Sequence, residues 1–83
     1  MDEQTLKQKI LDILVSIAPE VEPDQIRPTR TLRGQVDLDS MDWLNFLVAL
    51  HEQLKVEIPE ADYQKLVSLE DLIRYLQARL GPG

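Results

Sequence analysis

The sequence predicts an all-α fold, a four-helix bundle with a long first loop and a short third helix. Apolar residues recur at helical spacing in three segments, prolines and glycines separate these segments, and no segment shows the alternation of a half-buried strand. The chain of 83 residues is short enough for one domain, and we expect residues 1–83 to form it. Such a domain buries only about 60% of its unfolded surface, which leaves little interior for a deep catalytic cleft.

The first predicted helix runs from about residue 3 to 17. Asp2 and Glu3 favour the positive end of its dipole, and Pro19 ends it. Its apolar stripe consists of Leu6, Ile10, Ile13, Leu14 and Ile17. The following stretch, 20–38, contains Pro23, Pro28 and Gly34, so we expect an irregular connection there. A loop of this length in a small domain tends to be functional.

The second predicted helix spans about residues 40 to 54 and carries two apolar stripes. The first stripe suits a core face and consists of Trp43, Phe46, Leu47, Leu50 and Leu54. Met41, Leu44 and Val48 form a second stripe, which faces away from the first. Either neighbouring helices bury both stripes, or the second is an exposed docking strip rimmed by carboxylates.

A short third helix is predicted from Glu60 to about Lys65, and Pro59 opens it. Ser68 reads as the N-cap of the fourth helix, which Gly81 and Pro82 end. The apolar stripe of this fourth helix consists of Leu69, Leu72, Ile73, Leu76 and Leu80.

The net charge of −6 is concentrated around the second helix. Residues 35–64 hold seven acidic side chains and one basic side chain, Lys55, so this segment alone has a charge of −6. A field of this sign repels nucleic acid and anionic lipid and attracts basic protein surfaces, although acidic surfaces often serve solubility alone. With an acidic start and no long apolar run, the sequence favours a cytoplasmic protein that binds neither nucleic acid nor membrane.

Ser40, in the run Asp37-Leu38-Asp39-Ser40-Met41-Asp42, is the strongest candidate for a functional residue. Two assignments are open at the start of the second helix. Asp39 is the N-cap and Ser40 the first helical residue with an outward hydroxyl, or Ser40 is itself the N-cap. A helix N-terminus also suits a phosphodiester attached to this serine.

Several other classes of site are disfavoured. The chain has no cysteine, which excludes a thiolate site. His51 lies about three helical turns from Ser40, too far for a catalytic serine–histidine pair. An EF-hand beginning at Asp37 would need glycine at position 42 and glutamate at position 48. We therefore predict no catalytic residue and no metal site, and interpret His51 as a solvated helix residue.

The stretch from Asp39-Ser40-Met41 through Ile58-Pro59-Glu60 resembles the acyl carrier protein family, and the resemblance covers roughly residues 32 to 76. In that family the serine of an Asp-Ser-Leu or Asp-Ser-Met motif bears a 4'-phosphopantetheine arm. The resemblance implies a carrier, not an enzyme, in which a phosphopantetheinyl transferase modifies Ser40. The arm would then hold acyl or aminoacyl groups as thioesters.

The same resemblance implies roles for further residues. Partner docking falls to Asp37, Asp39, Met41, Leu44, Val48 and Glu52. The acyl-chain cavity is lined by Phe46, Leu50, Leu54, Ile58 and Leu66. The partners implied for this monomer are the transferase, an acyl-activating ligase, and acyltransferase or synthase enzymes.

Three positions depart from the pattern of the carriers of fatty acid biosynthesis. Asn45 and His51 stand where those carriers usually have acidic residues, and Trp43 is bulkier than usual. We therefore predict a specialised lipid or secondary-metabolite pathway. The alternatives are a peptidyl or aminoacyl carrier domain, or an acidic docking domain whose Ser40 is unmodified.

Overall fold

The computed structural model describes residues 2–80, which form four α-helices and two 3-10 helices. The α-helices are α1 (Glu3–Ile17), α2 (Leu32–Gln35), α3 (Ser40–Leu54) and α4 (Leu69–Leu80). The 3-10 helices comprise Pro23–Gln25 and Glu60–Lys65. The all-α class and the bounds of the two longest predicted helices are confirmed. The predicted terminators Gly81 and Pro82 lie outside the described residues.

Side-chain caps set the start of α1 and of α4. The Asp2 carboxylate accepts a hydrogen bond from the Thr5 amide at 2.7 Å. Hydrogen bonds from the Thr5 side chain and then from the Thr5 amide lower the pKa of Asp2. The Ser68 hydroxyl accepts a bond from the Asp71 amide at 3.1 Å, as the sequence predicts for an N-cap and its third helical residue.

The core lies where α1 packs against α3 and α4. The apolar stripes of the three helices meet there, and side chains in each are fully buried. The largest of these are Leu6, Ile10, Leu14, Phe46, Leu47, Leu50, Leu69, Leu72 and Leu76. Leu11, which the predicted stripe of α1 omits, is buried as well, so α1 presents a wider apolar face than expected.

The long connection is more ordered than the sequence predicts. It contains α2, a single helical turn whose Leu32 side chain is fully buried. The Leu32 amide donates to the Val67 carbonyl at 2.8 Å, next to an isolated bridge between Thr31 and Ser68. These contacts join α2 to the start of α4, so tertiary packing supports a turn that has too few residues to be stable alone.

Local bonds hold the same connection from within. The Gln35 side chain accepts from the Arg27 amide at 2.7 Å and donates to the Arg27 carbonyl at 2.8 Å. A methyl group at Gly34 would lie 2.6 Å from the Thr31 hydroxyl oxygen, so the tight turn at α2 favours glycine. These hydrogen bonds fix the backbone conformation of the connection around α2.

The third predicted helix is present as the 3-10 helix Glu60–Lys65. None of its residues is buried, so it lacks an apolar stripe that would favour a longer α-helix. The chain returns to the core at Leu66, which is 1% exposed.

Candidate functional site at the start of helix α3

Ser40 is the first residue of α3, and its side chain is exposed. Asp39 is the N-cap: its backbone is extended, and its carboxylate accepts from the Asp42 amide at 2.8 Å. The Asp39 carbonyl also accepts from the Trp43 amide at 3.0 Å. Of the two assignments, the structure therefore selects Asp39 as the cap, and no described residue hydrogen-bonds the Ser40 hydroxyl.

The segment before Ser40 explains why that hydroxyl points outward. Val36 and Leu38 are buried, whereas Asp37 and Asp39 are exposed. The Val36 amide donates to the Leu32 carbonyl at 2.8 Å, so this alternation begins from the anchored turn α2. The burial of Val36 and Leu38 thereby places Asp37, Asp39 and then Ser40 on the surface.

The two apolar stripes of α3 have different environments. Phe46, Leu47 and Leu50 are fully buried, and the Trp43 ring packs against the Phe46 ring with centroids 5.4 Å apart. Met41 is 68% exposed, and Leu44 and Val48 are each 43% exposed. Of the two alternatives that the sequence leaves open for this second stripe, the structure shows the exposed one. We call Met41, Leu44 and Val48 the exposed strip.

Exposed carboxylates border the exposed strip at both ends. Asp37 and Asp39 lie at the Ser40 end, and Glu52 lies one turn beyond Val48. An apolar strip with acidic ends has the features of a protein-docking surface. Asp37, Asp39 and Glu52 are all as exposed as that role requires, and their part in docking stays a prediction.

A groove of about 570 Å³ lies beside the start of α3. Leu38 and Trp43, which flank Ser40 in the sequence, are among its lining residues. Tyr63 and Leu66, at the end of the second 3-10 helix, line it as well. A group attached to Ser40 would therefore start at the edge of this groove.

The five predicted cavity residues are all buried: Phe46, Leu50, Leu54, Ile58 and Leu66. Of these, Leu66 alone lines the groove beside Ser40, where Leu38, Trp43 and Tyr63 join it. Sequence reasoning missed Leu38 and Tyr63 because nothing in a helical period indicates which loop residues face a groove. The role of the five residues in holding an acyl chain stays a prediction.

A carboxylate that the sequence does not single out, Asp62, ties the second 3-10 helix to α4. It accepts from the Tyr75 hydroxyl at 2.5 Å and from the Arg79 guanidinium at 3.1 Å, and Lys65 lies 3.7 Å away. The hydrogen bond from Tyr75 lowers the pKa of Asp62. Burial, followed by the bond to Asp62, raises the pKa of Tyr75. No local motif reveals partners 13 and 17 residues apart.

His51 is an exposed residue of α3, as the sequence predicts, and it also makes one structural contact. Its Nδ1 atom lies 2.6 Å from the Val56 carbonyl oxygen, while its own carbonyl accepts from the Lys55 and Val56 amides. Lys55 adopts the left-handed conformation, with φ 54°, as residues that follow a helix end often do. The His51 side chain thus helps close the C-terminal turn of α3.

The residues at Ser40 fit a phosphodiester-linked arm. The hydroxyl is exposed, and no described residue accepts a hydrogen bond from the Ser40 or Met41 amides at the positive end of the helix dipole. No described helix is long and apolar enough to cross a bilayer. Within residues 2–80, no cluster of three or more acidic or histidine side chains has metal-binding geometry.

Comparison with known proteins agrees with this geometry. Residues 8–76 match the family model of the phosphopantetheine attachment site. The chain is 32% identical to an acyl carrier protein of Chlorobium phaeobacteroides over 76 residues, which are 92% of this chain and 96% of that relative. It is 27% identical to an acyl carrier protein of Lactobacillus acidophilus over 81 residues, which are 98% of this chain and all of that relative.

The fold is similar to the solution structure of a candidate acyl carrier protein from Anaplasma phagocytophilum, with a TM-score of 0.85. That likeness covers 100% of this chain and 97% of the other at 23% identity, and it supports the fold. The family match spans most of the chain, including Ser40 and the exposed strip. The chain therefore belongs to the acyl carrier protein family, whose members are carriers that bear 4'-phosphopantetheine.

Proposed function

We propose that Ser40 is the attachment site of the phosphopantetheine arm and that a phosphopantetheinyl transferase modifies it. One observation carries this proposal. Asp39, not Ser40, caps helix α3, so the Ser40 hydroxyl is exposed and free to react. The other two serines have structural hydrogen bonds, Ser16 to the Ile13 carbonyl and Ser68 to the Asp71 amide. Ser40 is therefore the serine whose hydroxyl has no structural task.

In the proposed loading step the Ser40 oxygen attacks the phosphorus that joins pantetheine to the nucleotide half of coenzyme A. A new serine phosphodiester forms, the pyrophosphate bond breaks, and adenosine 3',5'-bisphosphate leaves. The serine proton passes to a base of the transferase, since no described residue of this chain accepts it. The arm supplies the thiol that this cysteine-free chain lacks, and acyl or aminoacyl groups are carried on it as thioesters.

Intact mass spectrometry tests the attachment site. After incubation with coenzyme A, Mg²⁺ and a broad-specificity transferase, we expect one phosphopantetheine per chain. Ser40→Ala should gain none while it keeps a helical circular dichroism spectrum. Ser16→Ala is the matched control and should be modified like the parent, because its hydroxyl bonds only within α1. A parent chain that remains unmodified with several transferases would show that the proposal is wrong.

We further propose that the exposed strip docks the transferase, an acyl-activating ligase, and acyltransferase or synthase enzymes. Met41, Leu44 and Val48 would supply apolar contact, while Asp37, Asp39 and Glu52 would steer basic partner surfaces and set the register. The support is the coexistence of large exposed apolar side chains with a fully buried face on one helix. We propose that the protein acts in the cytoplasm as a monomer with a single carrier domain.

The proposed pathway is a specialised one rather than housekeeping fatty acid synthesis. Asn45 and His51 remove negative charge from the middle of α3, so a partner that reads this segment by charge should bind weakly. The contact from His51 to the Val56 carbonyl supplies a second, structural reason for the histidine. Asn45 is exposed and forms no side-chain hydrogen bond with another described residue. Its identity is therefore better evidence for a change of partner than that of His51.

A further inference from the structure

The groove beside Ser40 combines an apolar floor with one basic side chain. Leu38, Trp43 and Leu66 form apolar lining, and Arg33 of α2 lies at the same groove. Arg33 is exposed and forms no ion pair or hydrogen bond with another described residue. Arg33 is the one basic side chain among the residues that line this groove.

The neighbouring contacts hold Arg33 at the groove. Its preceding residue, Leu32, is fully buried and bonds through its amide to the Val67 carbonyl at 2.8 Å. Gln35, at the other end of α2, is bonded to both backbone groups of Arg27. Arg33 therefore extends from a turn whose backbone is anchored on both sides.

The opposite wall is anchored as well. Tyr63 and Gln64 of the second 3-10 helix line the groove, and Asp62 of that helix is bonded to Tyr75 and Arg79 of α4. The groove thus lies between two segments that are each tied to the helical core.

We propose that Arg33, at this groove, binds a carboxylate at the far end of the carried acyl group. The proposal rests on the proposed attachment at Ser40 and names its cargo as an acyl chain that ends in a carboxylate. Guanidinium recognises carboxylate through paired, charge-assisted hydrogen bonds, and the apolar lining accommodates the intervening methylene groups. The other anion in reach is the phosphodiester of the arm itself, and the experiment separates the two.

The only tryptophan of the chain, Trp43, lines the groove, so its fluorescence reports groove occupancy directly. Three forms are compared: the chain with the bare arm, with a glutaryl arm, and with a 5-methylhexanoyl arm. The last has the shape of glutaryl with an isopropyl group in place of the carboxylate. Each acyl form is made from the corresponding acyl-coenzyme A with the transferase, and intact mass confirms loading.

We expect the glutaryl form to shift Trp43 emission relative to both other forms, and the shift to diminish with added salt because Arg33 is exposed. Arg33→Gln should abolish the glutaryl-specific shift. Arg30→Gln is the matched control, since Arg30 is an exposed arginine of the same connection and does not line the groove, and it should retain the shift.

Equal shifts for the glutaryl and 5-methylhexanoyl forms, or an unchanged glutaryl shift in Arg33→Gln, would overturn the assignment of Arg33 to a cargo carboxylate. An Arg33-dependent shift already present with the bare arm would overturn it too, because Arg33 would then bind the phosphodiester. A chain that accepts no arm is recognised by mass before any fluorescence is read, and that result overturns both this inference and the proposed attachment at Ser40.

Discussion

The burial of single leucines separates the folding role of α3 from its proposed docking role. Leu50 and Leu44 are the same residue type on the same helix, yet Leu50 is fully buried and Leu44 is 43% exposed. A substitution at each therefore compares core packing with surface contact at constant chemistry. The two substitutions together test whether one apolar face of α3 is buried and the other exposed.

Leu50→Ala should lower the free energy of unfolding by about 2–5 kcal/mol, because it removes a buried side chain and leaves a cavity. Leu44→Ala should change it by no more than about 0.5 kcal/mol, as expected for a surface change. Urea unfolding followed by circular dichroism measures both values. Equal losses would contradict the exposure of the strip.

The second 3-10 helix has no fully buried side chain, and it is held by the partly buried Tyr63 and by polar contacts. Asp62 supplies these contacts through Tyr75 and Arg79. Since the pKa of Asp62 is lowered below 3.8 in the folded state, the carboxylate stabilises the fold at pH values above 3.8. This contribution is lost as the pH falls through the lowered folded-state pKa.

Asp62→Asn should therefore destabilise the protein near neutral pH, and its difference from the parent should shrink as the pH is lowered below 3.8. Urea midpoints at several pH values measure this difference. Tyr75→Phe is the matched variant: it removes the hydroxyl but keeps the ring that lies 4.3 Å from the Arg79 guanidinium carbon. A difference between parent and Asp62→Asn that is independent of pH would contradict the role of the ionised carboxylate.

At the scale of the whole molecule, acidic residues surround the proposed docking face, but not all of them contribute an unpaired negative charge. Asp62, one of the seven acidic residues of 35–64, is neutralised by Arg79 and Lys65 and contributes little to long-range steering. The exposed acids near Ser40 and Glu52 remain. We therefore expect docking to depend on apolar contact and to be only moderately sensitive to salt.

The partner prediction is tested with a generic malonyl transferase and ketosynthase acting on the arm-bearing protein. We expect the parent to be a poor substrate and Asn45→Glu to improve it, because the change restores negative charge at the middle of α3. His51→Gln removes the imidazole without adding charge, so it controls for the bond to Val56. Efficient loading and elongation of the parent, with no gain from Asn45→Glu, would contradict a specialised pathway.

Features that depend on local periodicity and capping could be predicted from the sequence. The limits of α1 and α3, the Ser68 cap and the two stripes of α3 all follow from residues within a few positions of one another. The fold class and the candidate Ser40 follow in the same way. In these places helical spacing alone brings the interacting residues together.

Contacts between residues distant in sequence were decided by the tertiary structure. The helical turn α2 exists because Leu32 is buried and bonds to Val67, and Asp62 is neutralised by residues of α4. The choice between Asp39 and Ser40 as the cap was open in the sequence, since either side chain can accept an amide, and the backbone placed by Val36 and Leu38 selected Asp39. The sequence by itself thus determined the helices and the candidate serine, whereas folding determined the groove and its walls, because these join segments that meet only once the core has formed.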